Sequence, residues 1–325
     1  MLASAIARGS VPPTLLLTGP VGVGKYAIAR ATAAAINCLS PRVDEAGLAL
    51  DACGACRSCD RIARNVHVDL LTVEPDDTAK IKVEAVRTVL EQTGYRPFEG
   101  KRRVVVLRDA DAMQHSEQAA QNALLKSLEE PPPGTIFILT TAIPGALLPT
   151  VRSRCMRLQV GGLTEAEVST VLSRDHGLSP GEAAVVAALS DGSVGHALAL
   201  ASNDLEELRE LALQLLERAA KGNTATRMQA ATALAVSSKR DRDRAEVALT
   251  LRLLSSMLRD IELLNAGADE TLLANPSLRD RLQRLARAYA GDRARASFAA
   301  VDEAVVAVTR NAGTKVVADW LAVNL

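Results

Sequence analysis

The spacing of apolar residues changes part-way along the chain, and the change divides it in two. In the first half, short continuous apolar runs alternate with stretches of helical spacing. Leu15-Leu16-Leu17-Thr18 runs into a glycine-rich turn, and Arg103-Val104-Val105-Val106-Leu107 is the clearest buried strand. Thr135 to Thr141 predicts another strand, and Asp69 to Val73 a fourth, closed by Pro75. Between them, Lys25 to Asn37, Val83 to Gln92 and Glu117 to Glu130 predict helices, the last stopped by Pro131-Pro132-Pro133. Apolar runs of this length are strands covered on both faces, and the intervening helices supply the cover. The expectation is an α/β domain with a parallel, doubly wound sheet.

After Gly161-Gly162 the strand signals stop. Thr164 to Asp175, Pro180 to Ser190 and Val194 to Ala201 predict short helices, with Thr164 and Glu167 spaced as a capping box. From Asp204 onward only helical patterns remain, broken near Gly222, Gly267, Pro276 and Gly291. Stripes such as Leu251, Leu254, Leu258 and Ile261 are expected to face a core. No repeat of fixed period is present. The expected organisation is an α/β domain over 1–161, a small helical domain over 162–203 and a helical domain over 204–325.

Composition narrows the function. The chain has 325 residues, of which 48% are hydrophobic and only 2% aromatic, so the cores are built from Ala, Leu and Val. Scarce aromatics argue against a protein whose main business is stacking bases. Lys plus Arg equals Asp plus Glu at 38 each, so any contact with DNA phosphates must be local or supplied by partners. The run Lys239-Arg240-Asp241-Arg242-Asp243-Arg244 alternates in sign and is expected to be a solvated, self-paired face. No apolar run reaches the length of a membrane span, and Met1 to Ser10 has no signal-peptide core, so the expected location is cytoplasmic.

Candidate chemistry begins at Gly19-Pro20-Val21-Gly22-Val23-Gly24-Lys25, a G-x-x-x-x-G-K phosphate loop placed after a strand and before a helix. Gly19, Gly22 and Gly24 let backbone N–H groups turn toward phosphate oxygens, and Lys25 and the helix N-terminus add positive charge. Such a loop suits ATP or ADP. The next residue should carry a hydroxyl for Mg²⁺, but it is Tyr26, whose phenol reaches too far. The strand ending at Leu107 should deliver a metal-binding Asp and then a catalytic Glu; Arg108 and Asp109 stand there instead. With both Mg²⁺ ligands replaced, the chain is expected not to hydrolyse ATP. Arg108 is expected to pair with Asp109, the alternative being that it supplies a positive charge to a bound but unhydrolysed nucleotide.

Four of the five cysteines, Cys38, Cys53, Cys56 and Cys59, fall on an insertion after the first long helix. In a reducing compartment this clustering points to metal, and four thiolates fill a structural Zn²⁺ site with no open position. An iron–sulfur centre and unliganded thiols are the alternatives, the first lacking the usual Cys-Pro. His67 is surplus to four sulfurs and is read as structural; Cys155 stands apart.

The most specific motifs follow one another around the central strand. They are Tyr95-Arg96-Pro97-Phe98-Glu99-Gly100-Lys101, then Asn122-Ala123-Leu124-Leu125-Lys126-Ser127-Leu128-Glu129-Glu130-Pro131-Pro132, then Val151-Arg152-Ser153-Arg154-Cys155. This ordered set, with the four-cysteine module, resembles bacterial sliding-clamp loader subunits of the AAA+ class. The resemblance implies a helical lid after the α/β domain and an all-α collar at the C-terminus. Arg310-Asn311-Ala312-Gly313 through Leu325 resembles the end of that collar. It further implies that Arg154 is an arginine finger, reaching the γ-phosphate on a neighbouring motor subunit. Thr141 would stand where a working subunit senses phosphate, and Gly195 replaces a sensor arginine. Degenerate acids and Asp109-Ala110-Asp111 look more like the delta-prime type than the ATP-hydrolysing gamma/tau type. The implied partners are gamma/tau and delta subunits in a hetero-pentamer, with primed DNA and the sliding clamp engaged through the complex. Family members have more sequence before the first helix, which implies a late start or an incomplete adenine pocket. The alternatives are a gamma/tau-type motor, against which Tyr26, Arg108 and Gly195 argue, and a zinc-bearing DNA-binding module, against which neutral charge argues.

Overall fold

The computed structural model describes residues 2–43, 49–115, 118–202, 204–221, 224–235, 244–309 and 312–325. The described residues fall into two compact units, Met1–Gly162 and Leu163–Leu325.

The first unit opens with a short helix α1 (Leu2–Ala7), strand β1 (Thr14–Thr18) and helix α2 (Lys25–Asn37). The cysteine insertion follows, with the antiparallel pair β2 (Arg42–Val43) and β3 (Ala49–Asp51) and helix α3 (Arg57–Ala63). Then come β4 (Leu70–Val73), α4 (Val83–Thr93), β5 (Arg103–Leu107), α5 (Ala119–Glu129), β6 (Thr135–Thr141), α6 (Pro149–Arg152) and β7 (Met156–Gln159). Five strands form one sheet in the order β4-β5-β6-β1-β7, and all its pairings are parallel.

Alternation along the strands explains the two covered faces. Leu16, Val105, Leu107, Phe137 and Leu139 pack with Leu124 and Leu128 of α5 on one side. Their neighbours Leu15, Leu17, Val104, Val106, Ile136 and Ile138 pack with Ala29 and Ala33 of α2 and Ile62 of α3 on the other. Successive strand residues point to opposite faces, so runs apolar at every position serve two cores. The expected α/β fold with a parallel, doubly wound sheet is therefore present. The order reverses beside β1, and the crevice at the carboxyl ends of strands at such a switch is the usual ligand site in open α/β sheets.

Strand β7 was not anticipated. Its residues are mostly exposed, so it carries no buried apolar run; its backbone pairing with β1 defines it. The helix expected over Glu117 to Glu130 is described from Ala119, and Glu117 lies outside the described residues.

The second unit is helical among its described residues: α7 (Glu165–His176), α8 (Pro180–Ala188), α9 (Val194–Ala201), α10 (Leu205–Lys221), α11 (Thr224–Ala235), α12 (Arg244–Asn265), α13 (Arg279–Leu285), α14 (Asp292–Thr309) and α15 (Thr314–Asn324). Thr164 and Glu167 form the expected capping box, each side chain bonding the other's backbone N–H. Leu251, Leu254, Leu258 and Ile261 of α12 are buried in a core that also takes residues from α7 to α11 and from α13 to α15. The expected break at Gly222, residues 239–243 of the charged run, and Arg310 and Asn311 lie outside the described residues. No described helix is long and apolar enough to cross a membrane.

Candidate functional site

The phosphate loop leaves the carboxyl end of β1. Gly19, Gly22 and Gly24 all have positive φ, at 152°, 75° and 93°. At Gly19 the conformation has a steric reason as well, because a Cβ there would lie 2.0 Å from the Val160 carbonyl oxygen. That contact arises because the chain leaving β7 runs on beside β1, with Val160 N–H donating to Thr18 O at 2.7 Å. Lys25 is buried, and its ammonium donates to the carbonyls of Gly19 and Pro20, both at 2.7 Å. Burial pulls its pKa below the ordinary lysine value, against the attraction of Asp109 and Asp111.

Tyr26 and Arg108 meet at the two positions where Mg²⁺ ligands were sought. The Arg108 guanidinium lies 5.3 Å from the centroid of the Tyr26 ring, within cation–π range. Arg108 also pairs with Asp109 at 3.4 Å and with Glu74 at 3.2 Å. The Tyr26 hydroxyl points away to Asn65. Burial pushes the Asp109 carboxyl up, opposed by Arg108. Thr141, at the end of β6, donates to Asp111 Oδ1 at 2.6 Å, and Asp111 also accepts from Ala142 N–H.

The other end of the sheet holds the cysteines. The Sγ atoms of Cys38, Cys53, Cys56 and Cys59 all lie within 4.8 Å of one another. Sulfurs bonded to zinc at about 2.3 Å in a tetrahedron would be about 3.8 Å apart. Three of the separations, 3.7, 3.9 and 4.0 Å, lie close to that edge. Backbone N–H groups of Cys53, Cys56 and Cys59 point at the sulfurs of Cys38, Cys53 and Cys56. Burial works against the Cys56 thiolate, but N–H groups of Cys59 and Leu39 and its neighbouring thiols bring its pKa down to about 6. The four side chains fit a structural metal ion such as Zn²⁺, which would fasten the end of α2 to the start of α3. Cys155 is buried and apart, its thiol pushed up to about 11 by desolvation. His67 is not directed at the sulfurs. Its Nδ1 accepts from Asp69 N–H, and its Nε2 meets the Ser58 hydroxyl at 3.1 Å.

Beside the cysteines lies an arrangement that sequence reasoning missed. Asp69 is fully buried, and its carboxylate accepts N–H groups from Phe98, Glu99 and Gly100 and a guanidinium N–H from Arg103 at 3.0 Å. Burial opposes its ionisation, but these donors outweigh it and hold the pKa below the ordinary Asp value. The available signal was a charged residue at the head of each of two buried strands, since such charges need partners.

Arg154 sits at this same end. Its carbonyl accepts from the hydroxyl of Thr14, the first residue of β1. Its guanidinium donates to Glu129 at 3.2 Å and to Thr150 O at 3.0 Å. The phosphate loop departs from the last residue of β1, so the two features sit at opposite ends of that strand.

A profile described as DNA polymerase III, delta subunit, matches residues 1–164, half of the chain. The chain belongs to the DNA polymerase III delta-subunit family. Within that family its curated relatives include the delta-prime subunit of Pseudomonas aeruginosa, 41% identical over 143 residues, which is 44% of this chain and 41% of that protein. The delta-prime subunit of Escherichia coli K12 is 36% identical over 203 residues, covering 62% of this chain and 58% of the relative. The matched segments thus span roughly half the length of these delta-prime proteins. A solved DNA polymerase III gamma subunit-related protein from Thermotoga maritima aligns over 96% of this chain and 99% of its own, at 18% identity and a TM-score of 0.39. The family profile and the two delta-prime relatives place the chain with delta-prime subunits of DNA polymerase III.

Proposed function

We propose that this chain is the delta-prime subunit of a DNA polymerase III clamp loader, working with gamma/tau and delta subunits to load the sliding clamp onto primed DNA in the cytoplasm. In this reading it does not hydrolyse ATP and supplies Arg154 to the active site of a neighbouring motor subunit. Residues 162–203 act as the lid, residues 204–325 as the collar, and the four cysteines hold zinc.

The observation that carries the reading is the position of Arg154. It lies at the amino end of β1, whereas the chain's own phosphate loop lies at the carboxyl end. A strand of this length puts about 13 Å between those ends. Arg154 is therefore badly placed to serve its own loop and well placed to face outward. Its ion pair with Glu129 is partly exposed, and such pairs contribute about 0–1 kcal/mol, so an incoming phosphate can take the guanidinium over. On the hydrolytic side, Mg²⁺ would have to displace Arg108 from Glu74, Asp109 and the Tyr26 face, and would find no carboxylate at position 108 and only a phenol directed away to Asn65 at position 26. Nucleotide bound at Gly19, Gly22, Gly24 and Lys25 would accordingly be held rather than cleaved.

The test is ATP turnover by a loader reconstituted from the same organism's motor and delta subunits, stimulated by clamp and primed DNA. With Arg154→Ala, turnover should fall about tenfold or more while gel filtration shows normal assembly; finger arginines elsewhere contribute about 10³ or more. Equal turnover with both forms would remove the finger. Mg²⁺-dependent hydrolysis by the isolated chain would instead identify a motor of gamma/tau type.

A further inference from the structure

The chain contains only three tyrosines, three phenylalanines and one tryptophan. Two of these seldom-used rings, Tyr95 at 76% and Phe98 at 84% exposure, stand three residues apart on the loop before β5. An exposed ring on a loose loop means little, but this loop is fastened on every side. Asp69 holds the N–H groups of Phe98, Glu99 and Gly100. Arg103 reaches back to the carbonyls of Gln92, Tyr95 and Arg96. The Asn37 side chain bonds both the N–H and the carbonyl of Arg102. Arg61 of α3 pairs with Glu99, and the Lys101 ammonium donates to Cys38 O. The backbone is fixed while the rings are left in water, which is how a preorganised contact is built.

The charges around the rings indicate the occupant. Arg96 lies between the two aromatics, and Lys101 and Arg102 follow them. Glu99 is engaged by Arg61, and Arg103 is buried on Asp69. Among the described residues Arg96, Lys101 and Arg102 have no carboxylate partner. Rings, and cations that lack a carboxylate partner, placed along a rigid segment match the alternation of base and phosphate along a single strand. A duplex hides its base faces in the stack and offers these rings no face to stack on.

We propose that the Tyr95–Arg102 loop is a contact site for single-stranded nucleic acid, with bases stacked on Phe98 and Tyr95 and phosphates against Arg96, Lys101 and Arg102. A neutral chain does not contradict this, because the excess charge is local.

The test is fluorescence anisotropy of a labelled oligothymidylate with the full chain over a range of salt. Three neutralised phosphates give a slope of log K against log salt of about −2. Phe98→Ala should weaken binding about tenfold, Tyr95→Ala by a similar or smaller factor, and Phe98→Trp should preserve it. Arg96→Gln should flatten the slope by about 0.7. Phe98 is exposed, so thermal melts of its variants should match the parent. Absence of oligonucleotide binding overturns the proposal, as does a duplex that binds equally well with the same slope. If Phe98→Ala leaves the oligonucleotide unaffected and instead prevents co-elution with the other loader subunits, the loop is a protein-docking surface and the proposal fails. The oligonucleotide measurements use the isolated chain, so failure of binding would leave the reading of Arg154 standing.

Discussion

The two ends of one sheet have been treated differently. At the carboxyl end, the phosphate loop keeps its backbone shape, while Tyr26 and Arg108 stack on each other where metal ligands would stand. At the amino end, four sulfurs lie at the spacing a metal needs, and beside them a buried carboxylate has every donor it can use. The contrast sets the backbone geometry of a glycine-lysine motif apart from the side chains that would hold Mg²⁺. Backbone geometry is set by strand packing and persists, whereas metal chemistry hangs on two side chains that can be replaced one at a time.

The contrast breaks first at the cysteines. Cys59→Ser should reduce bound zinc from about one per chain to well below half and lower the melting temperature by about 10 °C or more, read by metal analysis and calorimetry. Next comes Asp69→Asn, which leaves the Arg103 guanidinium buried beside a neutral partner; urea unfolding should show a loss of about 3–5 kcal/mol. The same residue sets a pH dependence. Its folded pKa is depressed, so its contribution is fully present above the unfolded value of about 3.9 and is lost as pH falls through the lower folded value. Acid titration of stability should therefore be steeper in the parent than in Asp69→Asn. A gain is expected at the other end. Tyr26→Thr combined with Arg108→Asp restores a hydroxyl and a carboxylate, and Mg²⁺ should then tighten ATP binding about tenfold or more by calorimetry, an effect absent from the parent. The smallest change is Arg61→Ala, which cuts a partly exposed pair between α3 and Glu99 and should cost about 1 kcal/mol or less by chemical denaturation.

Much of this was legible in the chain itself, and the gaps have physical causes. Strands β5 and β6 and helix α2 could be placed to the residue because both sheet faces are covered, leaving apolar runs with sharp ends. Strand β7 could not, since an edge strand with exposed side chains is held by backbone bonds that leave no mark on residue type. The cysteine cluster was plain from spacing, but helix α3, which carries Cys59, was not. The pairing of Arg108 with Asp109 could be anticipated from adjacency in the chain. Its contacts with Glu74 and the Tyr26 ring depend on how β4 and α2 are brought beside β5. Asp69 escaped notice because its donors come from a loop about thirty residues away.

Gly19 carries a consequence for how such chains change over time. Any side chain there would drive a carbon into the Val160 carbonyl, whatever the loop does or does not bind. The residue thus answers to the junction between an inner and an edge strand, and selection for foldability alone would retain it. A first glycine is then by itself poor evidence of nucleotide binding, and the side chains at positions 26 and 108 bear more directly on whether Mg²⁺ could be held.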